Sequence, residues 1–250
     1  MLIGKPSEGA FPPELLRQVY RFRHRIFKER LNWQVASRCS LELDAYDELD
    51  PVYAAFCRDG SVIGTFRLLP TTGPYMLRDV FSELLRGETL PCASTVWELS
   101  RFALEPTHRN ARAQLTCSED TFAMLHACYD FAYSNGIREL VLVISVATER
   151  MLRGARIPLV RFGDGRPTQL EGVPSVACRV GITSELGEVL RPRSHERLLE
   201  EDRMSIRPSL TSVTHRAGGD LTAVSQSCKF THCGRDRRGA AERECRNTSP

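Results

Sequence analysis

A segment that reads as a β-strand, Trp-Glu-Leu-Ser-Arg-Phe at positions 97–102, combines a carboxylate, a hydroxyl and a guanidinium with apolar residues. On the two-residue period of a strand, Glu98, Ser100 and Phe102 share one face, and Arg101 lies on the other. A carboxylate on a sheet face is partly desolvated, which raises its pKa and suits it to general-base chemistry. A structural ion pair is the equally simple alternative for this carboxylate.

A second group of charged residues lies in the polar segment 32–50, which has five acids within its last nine positions. Arg67 stands inside an otherwise apolar run, and a buried charge is costly unless it is paired. Asp44 and Asp47 are its obvious partners. An acidic cluster of this kind can also bind an ammonium or sulfonium cation, and a solvated acidic loop is the alternative. The segment has no histidine and lacks EF-hand spacing, so no metal is expected.

Two aromatic residues accompany an arginine near the end of the first predicted helix. Arg23 and Phe27 lie four positions apart, and Trp33 follows. Such a group can line a pocket for a flat, charged ligand, because a cation is attracted to an aromatic face. Core aromatics beside a solvated arginine are the alternative.

The elements that must position these residues follow from the hydrophobic periodicity. Helices are predicted over residues 13–30, 76–85, 118–134 and 148–156. Strands are predicted over residues 53–57, 62–69, 96–104, 140–146 and 176–180. Asp59-Gly60 between the first two strands is a hairpin signal. The order of these elements predicts an α/β domain with a mixed sheet.

The composition is that of an ordinary soluble globular protein, with 250 residues, 42% of them hydrophobic and 26% charged. These values exclude collagen, a coiled coil and wholesale disorder. The longest apolar run, residues 140–146, is far shorter than the roughly 20 residues that a membrane helix needs. The N-terminus has no apolar signal-peptide core. We therefore expect a cytoplasmic protein without membrane contact, whose nine cysteines are free thiols.

The C-terminal part of the chain differs in composition from the rest. Periodicity ends near position 203, which predicts a domain over 1–203 and a poorly ordered basic tail over 204–250. Residues 191–250 carry 12 Lys and Arg against 8 Asp and Glu, whereas the rest of the chain has a net charge of −1. The tail has mixed charge and one aromatic, so nucleic-acid binding is not expected. Its cysteines match no zinc-finger spacing.

The residues that could carry chemistry together resemble the pattern of the acyl-homoserine-lactone synthases, the autoinducer synthases of bacterial quorum sensing. That pattern has Arg and Phe four apart, then Trp, a D-x-x-D loop, a strand Arg and E-x-S-R-F. Here it is matched by Arg23, Phe27, Trp33, Asp44, Asp47, Arg67, Glu98, Ser100 and Arg101. The resemblance covers about residues 10–185.

The resemblance implies a GNAT-like (acyl-CoA N-acyltransferase-like) α-β-α sandwich with a twisted mixed sheet. It implies transfer of an acyl group from acyl-acyl-carrier-protein, or from acyl-CoA, to the amine of S-adenosylmethionine. Lactone closure would then release 5′-methylthioadenosine. S-adenosylmethionine is a substrate in this scheme, so no cofactor is expected. Residues 109–114 lack the glycines with which acetyltransferases cradle pyrophosphate, which weakens a tight CoA site.

The resemblance also implies roles for particular residues. Glu98 is expected to deprotonate the amine, and Ser100 and Arg101 are the other catalytic candidates. Arg101 is expected to orient Glu98 or to contact the acyl donor. The S-adenosylmethionine pocket is expected to comprise Arg23, Phe27, Trp33, Asp44, Asp47, Arg67 and Phe102.

The acyl chain is expected to lie along the buried strand and the helix before it. The predicted wall, for which a plain core role is the alternative, comprises Leu99, Met124, Leu142, Ile144, Val146 and Met151. Some relatives that prefer 3-oxo chains have a threonine on this strand, where the present sequence is apolar. We therefore predict an unsubstituted acyl chain of medium length.

An acidic acyl carrier protein needs a basic docking face. Arg150, Arg153 and Arg156 fall at helical three-residue spacing and predict one, with a solvated arginine face as the alternative. The protein is expected to be a monomer.

Two other functions fit parts of the sequence. An N-acyltransferase of the same fold acting on another amine would release no methylthioadenosine. A non-catalytic binding module would be expected to have lost Glu98 or the acids and arginines, and both are present.

Overall fold

The computed structural model describes residues 1–105 and 117–191. The predicted tail and the segment 109–114 lie outside these residues. The described strands are β1 (Leu2–Gly4), β2 (Ser37–Arg38), β3 (Leu41–Glu42), β4 (Val52–Arg58), β5 (Ser61–Pro70), β6 (Val96–Leu104), β7 (Glu139–Ser145), β8 (Val160–Arg161), β9 (Thr168–Leu170) and β10 (Val173–Gly181). The described α-helices are α1 (Pro13–Arg23), α2 (Met76–Asp79), α3 (Glu119–Ser134), α4 (Val146–Gly154) and α5 (Ser184–Leu190). A π-helical segment, His24–Arg30, continues α1, and 3₁₀ turns span Ala45–Leu49 and Ser82–Leu85.

Eight strands form one sheet in the order β1-β4-β5-β6-β7-β10-β8, with β9 paired to β10. β6 and β7 run parallel, and the other pairs of this sheet are antiparallel. The predicted α/β class with a mixed sheet is therefore confirmed. Among the described residues, no helix is long and apolar enough to span a membrane.

The hairpin between β4 and β5 forms where it was predicted. Asp59 and Gly60 have φ values of 51° and 75°, and positive φ at both central residues defines a type I′ turn. The turn matches the twist of the two strands and pairs Arg58 with Ser61. A register shift between Phe56 and Cys57 then pairs Tyr53 with Arg67.

Two element predictions are wrong in detail. The helix expected over 76–85 is two short pieces, because the chain leaves helical geometry at Phe81 (φ −124°, ψ 26°). Val146 was expected on a strand but begins α4. The Ser145 hydroxyl accepts a 3.1 Å hydrogen bond from the Thr148 N–H, and this N-cap ends β7 and starts the helix.

The two faces of the sheet carry different cores. One face packs with α3 and α5 in the main apolar core, which includes Phe66, Leu68 and Leu99. The other face is covered at one end by α1 and at the other by α2, each with its own smaller cluster. Charged side chains of β5 and β6 occupy the space between these two helices.

The parallel pair β6–β7 is short. Val96–Glu98 pairs with Glu139–Val141, and the ladder ends at Glu98 although both strands continue. A gap between the strands therefore opens beside Glu98, in the middle of the sheet.

Candidate active site

A β-bulge in β6 decides which side chains face the charged side of the sheet. Arg67 pairs with Ser100, but Thr65 pairs with Ala103, so one extra residue lies on β6. Arg101 is in this irregular stretch with φ +53°. The two-residue alternation therefore breaks at this point.

The bulge reverses two predicted orientations. Arg101 lies on the same side as Glu98 and Ser100, rather than opposite them. Phe102 lies on the main-core side, where its ring stacks on Phe66 with centroids 6.2 Å apart. Phe102 is thus a core residue, and its predicted place beside Glu98 is wrong.

Three arginines and three carboxylates form a closed network, which we call the ion-pair ring. Its members in order are Arg23, Asp47, Arg67, Asp44, Arg101 and Glu42, each carboxylate bridging two guanidiniums. Five of the six contacts have N···O distances of 2.5 to 2.9 Å, and the sixth joins Arg23 Nε to Glu42. The charges cancel, which makes their burial possible.

The D-x-x-D loop positions its own carboxylates. Asp44 is the N-cap of a 3₁₀ turn, and its Oδ1 accepts from the Tyr46 N–H at 3.0 Å. Asp47 Oδ2 accepts from the Asp44 N–H at 2.8 Å. This reciprocal capping box explains the three-residue spacing of the two acids.

Burial and neighbouring charges act in opposite directions on the pKa values of Asp47 and Arg23. Burial disfavours ionised Asp47, but hydrogen bonds from Arg23 and the charges of Arg23 and Arg67 hold the pKa of Asp47 well below its usual value. Burial likewise opposes the charge of Arg23, yet Asp47 and Glu42 raise the pKa of that guanidinium. Arg23 and Asp47 therefore remain an ionised pair at neutral pH.

Glu98 lies beside the ring and is 2% exposed. Its two carboxylate oxygens accept from the backbone N–H groups of Met76, at 3.0 Å, and Leu77, at 2.7 Å. Burial raises the pKa of Glu98, although these two N–H groups oppose the shift. The side chain is thus held by the start of α2.

Arg101 does not orient Glu98 through a hydrogen bond, contrary to one of the two roles expected for it. Its guanidinium donates to Glu42 and Asp44, and Nη1 lies 3.4 Å from Met76 Sδ. Ser100 joins the network through its hydroxyl, which accepts from Arg67 Nε at 3.2 Å.

Phe27 and Trp33 lie next to the ring as a stacked pair, with centroids 5.2 Å apart. The Arg101 guanidinium lies 5.6 Å from the centre of the Phe27 ring. Phe27 is buried and Trp33 is half-buried. The structure thus brings together the predicted aromatic pair, the predicted acids and arginines, and Glu98.

Three residues of this region were absent from the predicted site. Glu42 is fully buried in the ring, Tyr53 donates a 2.5 Å hydrogen bond to Asp47, and the Met76 thioether lies 3.3 Å from Arg67 Nη2. Glu42 was visible as one acid of the cluster, but no sequence pattern separates the buried acids of that cluster from the exposed ones. Among the described residues, no group of three or more His, Cys, Asp or Glu is arranged to hold a metal ion.

On the opposite face, the main core contains an apolar cavity of about 40 Å³. Of the predicted acyl wall, Leu99 and Leu142 line it. Met124 instead fills the space above Gly64. Ile144, Val146 and Met151 pack against the core but do not line the cavity. The wall from α5 was not predicted, because α5 is too short to show a period. On α3, a predicted helix, the lining residues Leu125, Cys128 and Tyr129 were not named.

The three arginines predicted to dock a carrier protein are all exposed. Arg150 and Arg153 lie on α4, and Arg153 Nε donates to Glu149 at 2.9 Å. Arg156 lies beyond the helix with φ +65°, so the predicted helical spacing ends at Arg153.

Comparison with known proteins identifies the family. Residues 13–181 match the family model described as "Autoinducer synthase". The chain is 36% identical over 186 residues to an acyl-homoserine-lactone synthase of Pseudomonas aeruginosa, covering 73% of this chain and 89% of that protein. The crystal structure of the synthase LasI superimposes with a TM-score of 0.67 at 35% identity, covering 76% of this chain and 92% of the other. TofI, in a ternary complex with an inhibitor and MTA, gives 0.63 at 33% identity, covering 76% and 96%. The chain therefore belongs to the autoinducer synthase family, as a GNAT-like acyltransferase that makes acyl-homoserine-lactone signals for quorum sensing.

Proposed function

We propose that this enzyme transfers an unsubstituted, medium-length acyl group from acyl carrier protein to the amine of S-adenosylmethionine and then closes the lactone. The observation that carries this proposal is the buried ion-pair ring beside Glu98. A neutral but strongly dipolar surface of this kind suits a substrate that has ammonium, carboxylate and sulfonium groups together. The TofI complex with MTA supports the same chemistry in a relative.

We expect the substrate to bind at the exposed edge of the ring. The side chains of Asp44 and Arg101 are 15% and 9% exposed, whereas those of Arg23, Arg67 and Glu42 are fully buried. We expect the substrate ammonium near Asp44 and its carboxylate near Arg101, since each would meet an opposite charge. The Phe27–Trp33 pair would then contact the sulfonium or adenosyl part.

Acyl transfer requires a deprotonated amine. Glu98, with its raised pKa, would take the proton through a water molecule, because its oxygens already accept two backbone hydrogen bonds. The amine nitrogen would attack the thioester carbon, and the carbon–sulfur bond would break as the carrier thiolate leaves and takes up a proton. Backbone N–H groups of β6 beyond Glu98, where pairing with β7 stops, are suited to hold the oxyanion.

Lactone closure needs no further base. The carboxylate oxygen of the acylated substrate would attack the carbon next to the sulfonium. That carbon–sulfur bond would break with its electron pair going to sulfur, which leaves neutral 5′-methylthioadenosine. S-adenosylmethionine is consumed, so the scheme uses no cofactor.

We infer that the gap beside Glu98 joins this site to the apolar cavity. Glu98 and Leu99 are consecutive on β6, and their side chains lie on opposite faces of the sheet. A thioester at the gap would therefore place its carbonyl near Glu98 and its acyl chain on the cavity side.

The lining of the cavity favours an unsubstituted chain. The described residues that line the cavity are aliphatic, except for Cys128 and Tyr129. Among them, only Tyr129 has a hydroxyl group. A 3-oxo group would lose its hydrogen bonds to water on entering such a wall, which costs free energy.

Initial rates with a panel of donors test the proposal. Thiol release from acyl carrier protein should require S-adenosylmethionine and should exceed the rate from the matching acyl-CoA. A saturated donor should also react faster than its 3-oxo counterpart. Equal or faster release with another amine, without S-adenosylmethionine, would favour the alternative N-acyltransferase.

A further inference from the structure

A glycine in the interior of α5 lies directly against an aromatic ring. Gly187 belongs to a seven-residue helix, where glycine is about 1 kcal/mol less favourable than alanine. A Cβ at this position would lie 2.6 Å from Tyr129 Oη and 2.7 Å from Tyr129 Cζ. Because Gly187 has no side chain, the Tyr129 ring of α3 packs directly against α5.

The same ring forms part of the apolar cavity. Tyr129 lines it together with Leu186 and Leu190 of α5. Two neighbours on α3 flank the ring: Tyr133, stacked at 5.7 Å, and His126, tilted at 6.4 Å. Tyr129 is half-buried, and because these rings flank it along α3, we expect a ring displaced from α5 to turn towards the cavity.

We propose that the contact between Gly187 and Tyr129 sets the length of acyl chain that the enzyme accepts. Tyr129 forms the cavity wall where α3 meets α5, and Gly187 leaves the room that lets its ring stay withdrawn from the cavity. Leu99, by contrast, lies on the strand that carries Glu98, where the chain would enter. This inference rests on the proposed function, since the acyl chain must occupy the cavity.

The variant Gly187→Ala tests the contact with saturated acyl-carrier-protein donors of increasing length. One methylene in an apolar pocket is worth about 10- to 200-fold in kcat/KM. The ratio of kcat/KM for the longest good donor to that for the next shorter one should therefore fall by about 10-fold or more. Gly154→Ala is the matched control, because a Cβ at the end of α4 meets nothing within 4 Å. Its length profile should equal that of the wild type.

A second substitution shows whether the effect passes through the ring. Tyr129→Leu alone should shift the preference to longer chains, and this variant keeps the proposal testable if Gly187→Ala folds poorly. In the double variant, the added methyl no longer meets the ring, so the short-chain shift should disappear.

The proposal is overturned if folded Gly187→Ala keeps the wild-type profile, or if Tyr129→Leu leaves it unchanged. It is also overturned if the double variant retains the short-chain shift. A wild-type enzyme that makes no lactone from any donor would instead refute the proposed function, and this proposal would fall with it.

Discussion

At the scale of single residues, the site depends on charges that compensate one another while buried. Each arginine of the ion-pair ring contacts two carboxylates, so removing one carboxylate leaves two guanidiniums short of a partner. Breaking a buried pair in this way costs far more than the intact pair contributes. The pairing of Arg67 with Asp44 and Asp47 was predictable, because an arginine in an apolar strand needs an acid. The ring order was not, because it depends on the bulge in β6.

Asp47→Asn should destabilise the fold by about 3–5 kcal/mol at neutral pH, because Arg23 and Arg67 each lose a buried partner. The pKa of Asp47 is lowered in the folded state. Its stabilisation is therefore complete above its ordinary pKa of about 4 and is lost as the pH falls through the folded value. Urea unfolding at neutral and acidic pH should show the gap between variant and wild type narrowing in acid. The exposed Asp130→Asn should change little at either pH.

Glu98→Gln should remove most of the turnover, since an amide cannot accept the proton. Burial raises the pKa of Glu98, so the wild-type kcat/KM should fall, as the pH is lowered, at a higher pH than an ordinary glutamate would give. The amide also faces two backbone N–H groups, so a loss of about 1–3 kcal/mol in stability is expected. Thermal unfolding separates this loss from the loss of catalysis. If Glu98→Gln turned over nearly as fast as the exposed control Glu83→Gln, Glu98 would not be the base.

At the scale of elements, local sequence signals predicted most boundaries but not the geometry of β6. The strand was predicted over the residues that it occupies, Val96–Leu104. The alternation of its side chains was wrong after Ser100, because Arg101 adopts a positive φ that arginine rarely takes. Such a residue is held by its surroundings, in this case by Glu42 and Asp44. A one-dimensional pattern cannot contain this tertiary constraint.

The exposed arginines of α4 can be used to test whether acyl carrier protein docks there as the acyl donor. Arg150→Glu should raise KM for acyl carrier protein several-fold, more strongly at low salt, because it places an acid opposite an acidic partner. KM for S-adenosylmethionine and the rate with acyl-CoA should not change. Arg150 is a better position for this test than Arg153, because Arg153 also forms an ion pair with Glu149. Arg17→Glu on α1 is the control, and an equal effect there would argue against docking at α4.

In the whole molecule, the two faces of the sheet differ in their chemistry. One face carries the ion-pair ring and Glu98, and the other carries the apolar cavity, with the gap between β6 and β7 beside them. The α/β class was predictable from periodicity, since the long strands and helices have clear patterns. The edge strands β1, β8 and β9 and the helix α5 were missed because each is too short to show a period. The part of the cavity wall that α5 supplies was missed for the same reason.

Removing residues 205–250 should leave lactone synthesis and thermal stability close to those of the full chain. The family match ends at residue 181, and the described site residues lie between Arg23 and Leu190. Activity and unfolding temperature of the truncated protein check this expectation. A soluble but inactive truncation would show that the C-terminal residues contribute to catalysis.

Mass spectrometry of the products formed from S-adenosylmethionine and a saturated acyl-carrier-protein donor tests the proposed lactone synthesis. We predict an acyl-homoserine lactone and 5′-methylthioadenosine in equal amounts, with both lost together in Glu98→Gln. An acylated amine formed without methylthioadenosine, or no product from any donor by folded protein, would contradict the account.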